Sequence, residues 1–181
     1  MTATGIFRLS DRVFRPWKNG GGETAEIVVS PPGADFEHFD WRISTAIVAA
    51  SGPFSAFPGV DRVLTVLEGG AMVLSVGGQD QRLDAAREPF SFPGDIPAAA
   101  RLEGEALLDF NVMVRRPLRV EVVRGPLVPG SRGASERARL ALLLEDRAAL
   151  SRLDLVDLES ASPSLVAALA GAKVLDVRIS G

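Results

Sequence analysis

The amino-acid sequence predicts an all-β protein, and three observations predict it. Apolar and polar residues alternate with period two along much of the chain, the apolar runs are short, and Gly and Pro bound them. Thr24–Ser30 reads as the first clear strand. Trp41–Ala49 follows, with Trp41, Ile43, Thr45 and Ile47 on one face and Arg42, Ser44 and Ala46 on the other. Val63–Leu67 and Ala71–Val76 flank Glu68-Gly69-Gly70, which reads as a tight hairpin. Gly77-Gly78 turns the chain again into Gln81–Leu83. Pro93-Gly94-Asp95 makes a further turn, before Ala98–Leu102 and a long strand, Glu105–Arg115.

On that long strand Ala106, Leu108, Phe110, Val112 and Val114 form an apolar face, and Leu107, Asp109, Asn111 and Met113 a mixed one. Polar residues in mid-strand among apolar neighbours predict a face that lines an interior. Leu118–Val123, Arg152–Leu158 and Lys173–Ile179 complete the predicted strands. Ser135–Leu153 is ambiguous between helix and strand: its Ala, Arg, Glu and Leu content favours helix, yet its leucines make no 3.6-residue stripe. Ser162–Ala170 is the better helix, with Pro163 at its start and Gly171 just past its end. Many short strands joined by Gly-rich turns indicate a sandwich or barrel.

Composition narrows the function classes. A chain of 181 residues fits one domain, or two small barrels sharing a core, and needs no disulfide or metal staple. It contains no cysteine, which removes thiolate nucleophiles and Cys-based zinc sites. Met1–Ser10 lacks a basic segment followed by an apolar one, and no apolar run approaches the roughly 18 residues of a membrane span. The expectation is a cytoplasmic protein with no membrane partner. A net charge of −3 and a pI near 5.3 argue against a nucleic-acid partner. Seven arginines between Arg115 and Arg139 face only Glu121 and Glu136, and without interleaved aromatic residues they read as a solvated loop. Of the 20 basic residues only Lys18 and Lys173 are lysine, and lysine's compact charge makes Lys18 stand out in the motif region.

Two sets of motifs carry a resemblance. Leu67-Glu68-Gly69-Gly70, then Met72, Leu74, Gly77-Gly78 and Leu83, then Phe92-Pro93-Gly94-Asp95 and Pro97, resemble a small-barrel cupin pattern. More specifically, Trp17-Lys18-Asn19-Gly20-Gly21-Gly22 with Thr24 and Glu26, Trp41-Arg42 with Ser44, Phe57-Pro58-Gly59, Asp61-Arg62 and Asp109-Phe110-Asn111-Val112-Met113 resemble the HutD/Ves family of cupin-like proteins. The resemblance implies a bicupin, with residues 1–115 as a first, motif-bearing barrel and 116–181 as a second, smaller barrel half packed on it. It also implies a homodimer, a link to histidine utilisation, and the binding of a pathway metabolite.

Metal and cofactor chemistry find little support in the residues. His38 is the single histidine, in the acidic segment Asp35–Asp40, and Pro97 and Ala98 stand where a metal cupin would place a ligand histidine. No metal site and no cofactor are expected. Gly20-Gly21-Gly22 reads equally as an anion cradle and as a tight hairpin, flanked by Lys18, Asn19, Thr24 and Glu26. Arg42 is the strongest single candidate. A buried guanidinium needs a partner, supplied either by an internal pair with Glu26 or Asp109 or by a ligand carboxylate. Asp109 and Asn111 share a strand face, Ser44 stands on the Arg42 face, and Trp17 and Phe92 offer apolar walls. Asp61-Arg62 reads instead as a pin for the loop after Phe57-Pro58-Gly59. The expected ligand is a small anionic metabolite, bound by Trp17, Lys18, Asn19, Thr24, Glu26, Arg42, Ser44, Phe92, Asp109 and Asn111. The alternative is a metal-free isomerase or hydrolase using Glu26, Lys18 or Asp109.

Overall fold

A computed structural model describes residues 4–130 and 133–181, and among them it is all-β. In chain order the strands are β1 (Ile6–Phe7), β2 (Arg15–Pro16), β3 (Gly22–Ser30), β4 (Trp41–Val48), β5 (Gly52–Phe54), β6 (Val60–Val76), β7 (Gln79–Leu83), β8 (Phe90–Pro93), β9 (Ala98–Arg115), β10 (Arg119–Pro126), β11 (Glu136–Leu143), β12 (Leu155–Asp157) and β13 (Lys173–Ser180). One helix, α1 (Pro163–Ala168), lies between β12 and β13. Its start is as predicted: the Ser162 hydroxyl accepts the Leu165 N–H at 3.3 Å, and Pro163 fills the first turn. At its other end Arg147 donates to the carbonyls of Ala168 and Ala170, at 3.2 and 2.9 Å.

The chain forms two compact units, residues 13–116 and residues 4–12 with 117–181. The first is an eight-stranded antiparallel sheet in the order β2-β3-β4-β9-β6-β7, with β5 paired to β9 and β8 to β6. The second is a five-stranded antiparallel sheet in the order β1-β12-β11-β13-β10. Its core gathers Leu143, Val156, Leu169 and Val174 beneath α1.

Several expectations need correction. Glu68-Gly69-Gly70 is not a hairpin but a double bulge inside one 17-residue strand, β6, with register shifts at Val66/Glu68 and Gly69/Ala71. Glycine is needed there because Gly69 has φ +89° and a Cβ would lie 2.3 Å from the Ala106 carbonyl oxygen. Ala98–Leu102 and Glu105–Arg115 are likewise one 18-residue strand, β9, which pairs with β6 on both sides of the bulges. Ser135–Leu153, which the sequence leaves open between helix and strand, contains a strand, β11. Ala138 and Leu140 to Leu143 are all buried, so both faces of β11 are covered and no period shows. The Arg115–Arg139 stretch is not one solvated loop: it holds β10 and the start of β11, and Arg139 within it is buried; Arg132 lies outside the described residues. The strand predicted over Arg152–Leu158 shortens to β12.

In the 13–116 unit the apolar core gathers Val48, Leu64, Met72, Leu74 and Leu107. Residues opposite one another in an antiparallel ladder share a face. The pairings Arg42↔Met113↔Arg62↔Phe92, Ser44↔Asn111↔Leu64 and Ala46↔Asp109↔Val66 therefore lay three rows of side chains on one face of β4, β9, β6 and β8. Thr24 and Glu26 of β3 join the last two rows through Ala46 and Ser44. The other face carries Ile43, Thr45, Phe110 and Val112, all buried as well.

Candidate functional site

Arg62 stands at the centre of the polar rows. Two residues before Leu64 and four before Val66, it falls on the same face as those core residues and is only 7% exposed. Its Nε donates to Asn111 Oδ1 at 3.4 Å and its Nη1 to the Ser55 carbonyl at 3.5 Å, both long for such bonds. The guanidinium carbon also sits 5.1 Å from the ring centre of Phe92 and 5.6 Å from those of Phe54 and Phe57. Each ring face contributes about 0.5–2 kcal/mol, against a loss of hydration worth several kcal/mol. Burial lowers the Arg62 pKa to about 10; Asp109 opposes the shift and Arg42 adds to it. The guanidinium thus stays cationic at neutral pH, with most of its donor capacity unused among the described residues.

Asp109, on β9, is 2% exposed, and its Oδ1 has no hydrogen-bond partner among the described residues. Burial pushes its carboxyl up to about 7, with Arg62 and the Ala46 backbone pulling the other way. Ser44 and Asn111, 3% and 9% exposed, lie between the Arg62 and Asp109 rows.

Arg42 takes one of the partners the sequence offered it. Its Nε donates to Glu26 Oε2 at 2.8 Å, and its guanidinium lies 4.1 Å from the centre of the Phe36 ring. Phe36 is half exposed and packs on Phe57, which leads inward to Arg62. Glu26 is exposed, so this pair is worth at most about 1 kcal/mol.

Trp17 is half-buried against the apolar core, and its Nε1 donates to Thr24 Oγ1 at 2.7 Å. Gly22 is hemmed in by the Trp17 ring and the Ile47 carbonyl oxygen, 3.1 and 2.3 Å from where a Cβ would stand. Lys18 and Asn19 occupy the exposed turn and do not join the rows. The Gly20 N–H donates to the Trp17 carbonyl at 3.0 Å and the Gly21 N–H to Asn19 Oδ1 at 2.9 Å. Those two amides close the turn, so the glycine run is a hairpin and not an anion cradle.

The structure therefore brings Thr24, Glu26, Arg42, Ser44, Phe92, Asp109 and Asn111 onto one face, with Trp17 beside it. Arg62, read from the sequence as a pin for the loop at Phe57-Pro58-Gly59, does hold that segment through Ser55 and Phe57, but it is also the buried cation of the cluster; Asp61 faces Arg116 at 3.6 Å. The period-two pattern ending in Leu64 and Val66 was the signal that could have placed it. Among the described residues no three His, Cys, Asp or Glu side chains converge. His38 is exposed and bonded to Asp35 at 2.7 Å, a contact that holds the Asp35 carboxyl below its usual range.

The site is thus an all-β face that carries Arg62, a buried, under-bonded cation among aromatic rings. Comparison with known proteins supplies the lineage: the HutD family model matches residues 9–170, and the chain belongs to that family. HutD from Pseudomonas fluorescens SBW25, solved in a formate condition, superposes with a TM-score of 0.72 at 33% identity, over 97% of this chain and 92% of that one. A conserved protein of unknown function from Pseudomonas aeruginosa PAO1 gives 0.69 at 30% identity, over 97% and 91%. Protein Ves of Cronobacter sakazakii is 46% identical over 101 residues, 55% of this chain and 54% of its own. An uncharacterised 21.2 kDa protein from the hutC 3′ region of Pseudomonas putida is 40% identical over 113 residues, 62% and 59% of the two chains. The chain thus spans little more than half the length of these curated relatives.

Proposed function

We propose that the chain binds a small carboxylate-bearing metabolite on the polar face of its 13–116 unit and acts as a non-enzymatic regulator of histidine utilisation. The observation that carries the binding reading is Arg62, a buried guanidinium whose two hydrogen bonds are both long. A carboxylate facing it forms charge-assisted bonds worth about 1.5–3 kcal/mol. Asn111 and Ser44 offer neutral polar groups beside it, Phe92 supplies a wall, and Arg42 with Glu26 stands at the outer end of the same rows. The pathway rests on the relatives, one a HutD protein and one encoded in a hutC 3′ region. A cytoplasmic homodimer belongs to the same proposal, and sedimentation at micromolar concentration checks the dimer.

The test is thermal unfolding of the chain against urocanate, formylglutamate and other histidine-pathway carboxylates. One of them is expected to raise the melting temperature with dose, since a ligand stabilises by RT ln(1 + [L]/Kd). Arg62→Met is expected to abolish that rise, and Arg42→Ala to reduce it while the fold survives. A rise that persists undiminished in Arg62→Met would remove Arg62 from the site. A second reading, metal-free catalysis, is favoured by one observation: a buried carboxyl near 7 suits a general acid or base. Recovery of the metabolite unchanged by NMR after prolonged incubation with the protein rejects it.

A further inference from the structure

We propose that Asp109 works in this site as a carboxylic acid that donates a hydrogen bond to the bound anion, so that each carboxylate ligand is taken up together with one proton. The inference rests on the binding reading above and deepens it. Its geometric basis is a carboxyl group that is 2% exposed, on the same face as Arg62 and Asn111, with an oxygen that no described group engages. An ionised carboxylate can only accept hydrogen bonds, and a ligand carboxylate has none to give. Two carboxylates meeting on one buried face would repel, with a single cation to serve both. A protonated Asp109 removes the repulsion and turns the unused oxygen into a donor.

The surrounding charges favour this outcome. Of the neighbouring strands, β6 contributes Arg62 to the face, β4 contributes Arg42, β3 contributes Glu26 and β8 contributes only Phe90 and Phe92. Arg42 and Glu26 neutralise each other at 2.8 Å. On β9 the same-face neighbours of Asp109 are Leu107, Asn111 and Met113, all uncharged. Arg15 of β2, opposite Thr24, extends the Asp109 row but is exposed, so one buried cation remains for one anion. With Asp109 ionised that anion is Asp109; with a ligand bound it is the ligand, and the proton that Asp109 then carries comes from solvent. Burial already pushes the carboxyl up to about 7, so the protonated form is accessible at neutral pH.

The experiment titrates formate, the smallest carboxylate probe, into the wild-type chain and into Asp109→Asn between about pH 5.5 and 8.5, with chloride as control. For the wild type the apparent Kd is expected to stay flat below about pH 7 and to rise roughly tenfold per pH unit above it. Asp109→Asn, which keeps a donor but cannot ionise, is expected to show a flat profile. A wild-type Kd independent of pH, or the same slope in Asp109→Asn, overturns the proposal and leaves carboxylate binding standing. Absence of formate binding at every pH overturns both. Should Asp109→Asn fail to fold, proton uptake by the wild type near pH 8, read from binding heats in buffers of different ionisation enthalpy, decides: about one proton supports the proposal and none ends it.

Discussion

At the scale of single residues, two arginines are buried among the described residues, Arg62 and Arg139, and the fold treats them in opposite ways. Arg139 donates through Nε and Nη2 to the two oxygens of Asp176, at 3.0 and 2.7 Å, and again through Nη2 to the Val128 carbonyl at 3.0 Å. Burial works against the Asp176 carboxylate, yet bonds from Arg139 and Arg178 hold its pKa below the usual value. Removing one partner of such a pair strands the other, so Asp176→Ala should cost roughly 3–5 kcal/mol in urea unfolding. Arg62 has no such clamp. Arg62→Met should leave the ligand-free protein as stable or slightly more stable, because a cation with weak partners is replaced by apolar volume. Asp109 adds a pH signature. Its pKa is raised on folding, so the folded chain holds its proton at pH values where the unfolded chain has lost it. That contribution to stability is complete below about pH 4 and is lost as pH rises to about 7. The melting temperature of Asp109→Asn relative to wild type should therefore climb between pH 4 and 7 and then level off; a constant difference would mean that Asp109 is ionised throughout.

At the scale of elements, the long β6/β9 ladder decides where the polar rows stand. A straight 17-residue strand would run about 56 Å, far beyond a unit of this size, and the bulges between Val66 and Ala71 bend it. Gly69→Ala places a Cβ against the Ala106 carbonyl at positive φ and should lower the melting temperature by several degrees, at a cost of about 2–4 kcal/mol. An unchanged melting temperature would show that the bend tolerates a side chain. The sequence could announce a break at Glu68-Gly69-Gly70 but not its kind, because hairpins and bulges use the same glycine conformations. For the same reason of local ambiguity the sequence leaves β11 open between helix and strand: with Ala138 and Leu140 to Leu143 all buried, alternation has nothing to report. The faces of β4 and β9 were legible, since their polar residues recur every second position. Arg62 was legible only as a pin for the loop at Phe57-Pro58-Gly59, because its other neighbours, Asn111 and Phe92, lie on strands far along the chain.

At the scale of the whole molecule, the chain begins in one unit, builds the other, and returns. Residues 4–12 belong with 117–181, and the connection is made by specific bonds. β1 pairs with β12 through Ile6↔Val156 and Phe7↔Leu155, and the Asp157 N–H donates to the Gly5 carbonyl at 2.8 Å. The Leu9 N–H donates to Asp154 Oδ1 at 2.7 Å, Arg8 stands 3.6 Å from the same carboxylate, and Arg12 donates to the Leu153 carbonyl. Asp154 is 2% exposed, so losing Leu9 leaves a buried carboxylate short of a donor at a cost of about 1–3 kcal/mol. Without β1, β12 becomes a three-residue edge strand held only by β11. A chain lacking residues 1–9 should therefore exchange its amide hydrogens faster at Leu155–Asp157 and along β11, while Ile43–Thr45 in β4, held between β3 and β9, keep their protection. Equal acceleration in both units would mean that the N-terminal strand supports the molecule globally rather than the sheet it joins.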